Sequence, residues 1–185
     1  MDKVKIYTEG TPNPNALKFV LDRNILEKDS LNFSNEKQAV NSPLAMRLFE
    51  VGSVVEVFVG KNFITVSKNS TSSWDDMYDS LVKKINEHFD SGEPIILTEN
   101  NIPEKINFTR SEVEEKIIEI LDSEIRPAVN GDGGDVIFDS YEDGILKLHL
   151  QGSCSHCPSA IMTLKAGIET MLKRAIPEIK EVISV

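Results

Sequence analysis

The chain has 185 residues, 40% hydrophobic and 27% charged, enough apolar material for one large domain or two small ones. Its formal net charge of -10, with no basic patch in either half, argues against a nucleic-acid partner or an anionic membrane surface. No apolar run approaches the roughly 20 residues of a membrane span, and the N-terminus shows neither a secretory core nor an Arg/Ser-rich leader. With two closely spaced cysteines and no signal, the expected setting is a reducing cytoplasm and not a disulfide scaffold.

Val4, Ile6, Leu17, Phe19 and Leu21 alternate with other residues on either side of Gly10-Thr11-Pro12-Asn13-Pro14-Asn15. This pattern predicts two strands joined by a tight Pro/Asn connector. Ser42-Pro43 starts a short helix through Leu44, Met46, Leu48 and Phe49. A hairpin follows, Val54 to Val59 and Phe63 to Ser67 around Gly60-Lys61-Asn62. Ser72 and Asp75 then open a helix whose apolar side carries Trp74, Met77, Leu81, Ile85, His88 and Phe89 up to Gly92. On that side Trp74 and Met77 read as core, and His88 as a packed or boundary histidine, not a ligand. The stretch from Thr98 to Lys105 is polar, contains Pro103 and has no period, which makes it a linker. The expected organisation is a first domain at 1–97, a linker at 98–110 and a second domain at 111–185.

Beyond the linker, Ser111 and Glu114 form a capping box, and Val113, Ile117, Ile120, Leu121 and Ile125 one helical face that Pro127 ends. Asp132 and Asp135 flank Gly133-Gly134 and read as turn residues, not as a carboxylate pair. A strand from Val136 to Asp139, a turn at Glu142-Asp143-Gly144 and a partner strand from Ile145 to Leu150 come next. Pro158 opens a helix with Ile161, Leu164, Ile168, Met171 and Leu172 on one side, and Lys180 to Val185 forms a last strand. The fold class is α+β in two small domains. The second has the order α-β-β-α-β, helices on one face of a small sheet.

All the chemistry gathers between a strand and a helix, at Gly152-Ser153-Cys154-Ser155-His156-Cys157-Pro158-Ser159. Cys154 and Cys157 are the two cysteines of the chain. A helix N-terminus offers free N–H groups and the positive end of the helix dipole, both of which stabilise thiolates. Two thiolates cannot complete a four-ligand zinc or iron–sulfur site alone. Either the pair is a redox dithiol, or it takes further ligands from elsewhere, most simply from a second copy of the chain. Small residues at Gly152, Ser153 and Ser155 permit close approach by another subunit and leave the site open to water. A thioredoxin-like dithiol shares the C-x-x-C, but normally follows the first strand of a βαβ unit with an aromatic just ahead of it. A zinc module would need His156 or a second chain for its remaining ligands. No nucleophile–base pair, phosphate-binding glycine loop or acid–base carboxylate pair is legible, so the chain does not read as an enzyme.

Arg126-Pro127, Asp132-Gly133-Gly134-Asp135-Val136 and the Gly152-to-Ser159 stretch together resemble the C-terminal domain of NifU, the Nfu domain. Thr11-Pro12-Asn13-Pro14-Asn15-Ala16-Leu17-Lys18-Phe19 resembles the signature of the Nfu N-terminal domain. The resemblance, which covers nearly the whole chain, implies a two-domain iron–sulfur cluster carrier. It further implies a [4Fe–4S] cluster shared between two subunits of a homodimer, with Cys154 and Cys157 as its ligands from each chain. An upstream scaffold would be the donor and apo iron–sulfur proteins the acceptors. His156 stands at a spacer position more often filled by a small residue, and Ala160 where a second serine is common; neither change removes a ligand. The cysteine-rich assembly and ferredoxin-like segments of full-length NifU are not found here, which favours carriage over de novo assembly.

Overall fold

In the computed structural model, which describes residues 3–27, 29–97, 111–155 and 158–185, the alternating segments of the first half pair into one antiparallel sheet. Its strands are β1 (Ile6–Gly10), β2 (Ala16–Leu21), β3 (Leu31–Phe33), β4 (Val54–Val59) and β5 (Phe63–Lys68), in the order β1-β2-β5-β4-β3. Phe19 lies opposite Ile64 and Val57 opposite Val66, so the period of two puts Phe19, Leu21, Val57, Val59, Ile64 and Val66 on one face. There they pack against α1 (Pro43–Phe49) and α2 (Trp74–Ser91) through Leu44, Leu48, Met77, Leu81 and Ile85. The three-residue β3 and a 3-10 turn at Gln38–Asn41 are additions to the expected elements, both too short to leave a periodic trace.

Ser42 caps α1, accepting a hydrogen bond from Ala45 N, with Pro43 in the first turn where no N–H is missed. Ser73, one residue beyond the expected Ser72, caps α2 by accepting from Asp75 N. Ser72 instead donates to Ser53 Oγ at 2.6 Å. Gly92 closes α2 in the left-handed region, φ 70°. Trp74 packs at the edge of the core and donates from Nε1 to Pro14 O.

The second half begins with the expected capping box: Ser111 N donates to Glu114 Oε2 at 2.7 Å, and Glu114 N to Ser111 Oγ. The helix does not stop at Pro127. It runs as α3 (Glu112–Ile120), a π-helical turn (Leu121–Ile125) and α4 (Arg126–Gly131), with Pro127 in the first turn of α4. Proline lacks an N–H and crowds the carbonyl one turn back; the wider π turn relieves both problems and lets the chain stay helical.

Strands β6 (Gly134–Glu142), β7 (Ile145–Gly152) and β8 (Glu181–Ser184) make the second sheet in that order, with β7 and β8 parallel across α5 (Pro158–Ala175). Both hairpin strands outrun their expected limits because Gly134 pairs with Gly152 at the far end. Val136, Leu146, Leu148 and Val182 meet Ile117, Leu121, Ile125, Val129, Ile168 and Leu172, so the helices do share one face of this sheet. Met171, expected on that face, is exposed; the stripe of α5 centres on Ile168 and Leu172. The side chains of Ile161 and Leu164 and the expected linker at 98–110 lie outside the described residues. Among those described, no helix is long and apolar enough to cross a membrane.

His88 is fully buried on α2, edge-on to Phe89, and neither ring nitrogen has a hydrogen-bond partner among the described residues. Burial, reinforced by the nearby Arg47 charge, holds its pKa below the ordinary 6.5. The unfolded chain therefore binds this proton first, and the stability His88 contributes as a neutral ring is lost as pH falls below about 6.5 toward the folded pKa. The slope of stability against pH between 7 and 5, measured by urea unfolding, is expected to be shallower in His88→Phe than in the parent.

Candidate functional site

Strand β7 ends at Gly152, whose φ of +68° and whose missing Cβ (it would lie 2.7 Å from Gly133 O) both require glycine. The chain then turns through Ser153, Cys154 and Ser155, and α5 starts at Pro158. Ser153 N donates to Gly133 O at 3.2 Å and Ser153 Oγ to Asp132 O at 2.5 Å. Ser155 N closes a turn onto Gly152 O. The cysteine loop and the turn before β6 are thus bound side by side, which brings Gly152 against Gly133 and Gly134.

Cys154 is 3% exposed and belongs to the core of the second unit, its Sγ 3.6 Å from Ser153 Oγ. A Cβ at Gly134 would stand 2.8 Å from that sulfur and 2.5 Å from Gln151 O, so Gly134 is the space the thiol occupies. Gly133 alone carries the expected positive φ, +83°. Cys154, expected to lie open to water, is therefore buried, and the small residues on either side of it that permit close approach are approached by the chain's own first half. Cys157 and His156 lie outside the described residues. Among the described residues no group of three or more His, Cys, Asp or Glu side chains comes together.

Asp135 is not a turn residue. It opens β6, is 1% exposed, and its carboxylate receives Arg126 Nε at 2.9 Å and Nη2 at 2.7 Å, Val136 N at 2.9 Å and Ser30 Oγ at 2.8 Å. Arg126 also donates to Asp122 at 3.0 Å. The hydrogen bonds that Arg126 donates to the Asp135 carboxylate raise the guanidinium's pKa above its already high ordinary value, so the clamp stays charged. Asp132 does stay on the turn, at the C-cap of α4. Only the presence of Arg126 in the same motif hinted at this pairing.

The cover comes from the second face of the first sheet. Lys18, Glu56, Phe58, Phe63, Thr65 and Ser67 alternate with the core residues, yet all are buried. Thr65 Oγ1 donates to Gly133 O at 2.7 Å, Lys18 Nζ to Gly131 O at 3.0 Å and Asn13 Nδ2 to Ser153 O at 3.1 Å. Ser155 Oγ sits 2.8 Å from Glu56 Oε2, which accepts from it. The Thr11-to-Asn15 loop, expected to be a plain connector, is therefore a contact to the cysteine loop. Nothing in the local pattern of the first half marked these residues, since each is ordinary for the outer face of a sheet.

Residues 6–92 match the family described as Scaffold protein Nfu/NifU N terminal, and residues 117–183 the NifU-like domain. The human protein named NFU1 iron-sulfur cluster scaffold homolog, mitochondrial, is 44% identical over 178 residues, covering 96% of this chain and 70% of its own. This chain belongs to the Nfu/NifU family. NifU-like protein 4, mitochondrial, of Arabidopsis thaliana is 40% identical over 182 residues, covering 96% of this chain and 64% of its own. The Drosophila willistoni relative, again named NFU1 iron-sulfur cluster scaffold homolog, mitochondrial, is 43% identical over 179 residues, covering 96% and 62%. The chain thus spans about two thirds of the length of these relatives. Each of these relatives is named as mitochondrial, which overturns the expected cytoplasmic location. Composition and cysteine spacing could not decide compartment, because neither records a targeting segment, which is removed on maturation.

The Asp135 clamp gives a stability prediction for this Nfu-family chain. Asp135→Ala removes the buried carboxylate to which Arg126, Ser30 and Val136 N donate, leaving Arg126 its exposed partner Asp122, and is expected to cost about 3 kcal/mol. Ser30→Ala removes one hydrogen bond to the same carboxylate and should cost about 1 kcal/mol. Urea unfolding of the two variants beside the parent checks both values.

Proposed function

We propose that this chain carries an iron–sulfur cluster as cargo and passes it to apo-proteins, without turnover of its own. The carrying observation is a C-x-x-C that spans the junction of β7 and α5 within a NifU-like domain. In this reading Cys154 and Cys157 of each of two copies supply the four thiolates of one shared cluster, and the [4Fe–4S] type is what the family resemblance implies. The residues suit the cargo: thiolates are the ligands such clusters take, and the first turn of α5 favours anionic sulfur next to it. Gly134 gives Cys154 Sγ its room. The human relative's printed name, a cluster scaffold homolog, supports the same class of function. We assign 1–97 and 111–185 as the two domains and 98–110 as their linker. The donor is an upstream scaffold and the acceptors are apo iron–sulfur proteins.

Anaerobic reconstitution with iron and sulfide, read by Mössbauer spectroscopy and native mass analysis, should give about four irons per two chains. Cys154→Ser and Cys157→Ser should each lose stable cluster binding to a similar extent. A monomer holding a complete protein-ligated cluster would overturn the reading. So would unequal cysteine variants, one of them trapping a mixed disulfide, which is the behaviour of a dithiol exchanger.

A further inference from the structure

We propose that the outer face of the first sheet is a docking surface for the cysteine loop, competing for that loop with a second copy of the chain. The proposal rests on the carrier reading above for the identity of the competitor. The closed form holds the loop against its own first domain, and a cluster shared between two copies requires that face to let go.

The two faces of this sheet differ in kind. The face toward α1 and α2 is apolar throughout: Phe19, Val57, Val59, Ile64 and Val66. The face toward the cysteine loop mixes Lys18, Glu56, Thr65 and Ser67 with Phe58 and Phe63. Residues of the polar kind are at home in water once separated, and interfaces of mixed composition between domains are the kind that open. The grip is on backbone, since Lys18, Thr65 and Asn13 donate to the carbonyls of Gly131, Gly133 and Ser153. Contact is close because glycine stands at each approach. A Cβ at Gly133 would lie 2.9 Å from Thr65 Oγ1, and one at Gly152 would lie 3.0 Å from Phe58 Cγ. Cys154 is 3% exposed, and the face holds Ser153 and Ser155 on either side of it, which leaves no room for a second chain to bring thiolates to that sulfur.

The test uses the full-length apo-protein in a Cys157→Ser background, where Cys154 is the sole thiol. Iodoacetamide labelling is followed by mass analysis, with small-angle X-ray scattering on the same samples. The parent should label slowly and scatter as a compact particle. Thr65→Val should label about five times faster and Asn13→Ala with Lys18→Ala about twenty times faster, in proportion to the hydrogen bonds removed. The radius of gyration should rise in the same order. Far-UV circular dichroism checks that each variant keeps the fold; if Thr65→Val does not, the Asn13/Lys18 pair carries the test. Equal labelling rates and equal scattering across parent and variants would overturn the docking surface. Labelling needs no cluster, so the two readings fail separately. Accelerated labelling in a protein that never takes up iron and sulfide sinks the carrier alone, and successful reconstitution with unchanged labelling sinks the docking surface alone.

Discussion

Strand β5 is buried along its whole length, on both faces, and the rest of the molecule follows from how that is achieved. An antiparallel sheet with helices on one side ordinarily gives its other side to water. Here the second side carries polar groups that must be satisfied once water leaves. Thr65 meets that demand with a carbonyl of the turn before β6, Lys18 with the carbonyl that ends α4, and Asn13 with the carbonyl next to Cys154. The burial of the sheet and the covering of the cysteine loop are therefore one event.

On the other side of that contact the architecture is rigid by construction. Gly133 and Gly152 take backbone conformations that other residues rarely adopt, and Gly134 makes room for a sulfur. Ser153 ties one turn to the other with both its N–H and its hydroxyl. The Arg126–Asp135 clamp fixes the start of β6 to α4, directly below the turn that Thr65 grips. A loop held this firmly presents its thiol in one geometry, which suits the ligand role proposed for Cys154.

Holding and releasing are opposite demands on a carrier, and the two halves of this chain divide them. The cysteine unit supplies thiols and a fixed geometry. The first unit supplies a surface whose attraction for the loop is made of hydrogen bonds that water can replace at small net cost. The small residues that would admit another subunit in the proposed carrier admit the sheet of the first unit here.

How much of this was legible in the sequence can be judged element by element. Period-two alternation around Phe19, Val57 and Ile64, the capping box at Ser111, and the turn at Glu142-Asp143-Gly144 are local physics, and the elements they predict are present. The C-x-x-C and its place between a strand and a helix were equally local, as was the packing of His88 on the apolar side of α2. Pro127 misled because a π turn upstream changed what a proline could tolerate, and such a turn leaves no composition of its own. Asp135 misled because its flanking glycines describe a turn, while its partner Arg126 sits nine residues away on a helix. Glu56 and Thr65 could not have been singled out, and Asn13 and Lys18 stood out only within the stretch that resembles the Nfu N-terminal signature, with no partner indicated. Their role exists only where two units more than a hundred residues apart in places meet, as Asn13 meets Ser153. Sequence by itself determined the elements and the chemistry available at the loop, because these depend on neighbours along the chain. Whether the loop is open or covered was decided by tertiary structure, because burial depends on which distant surface arrives.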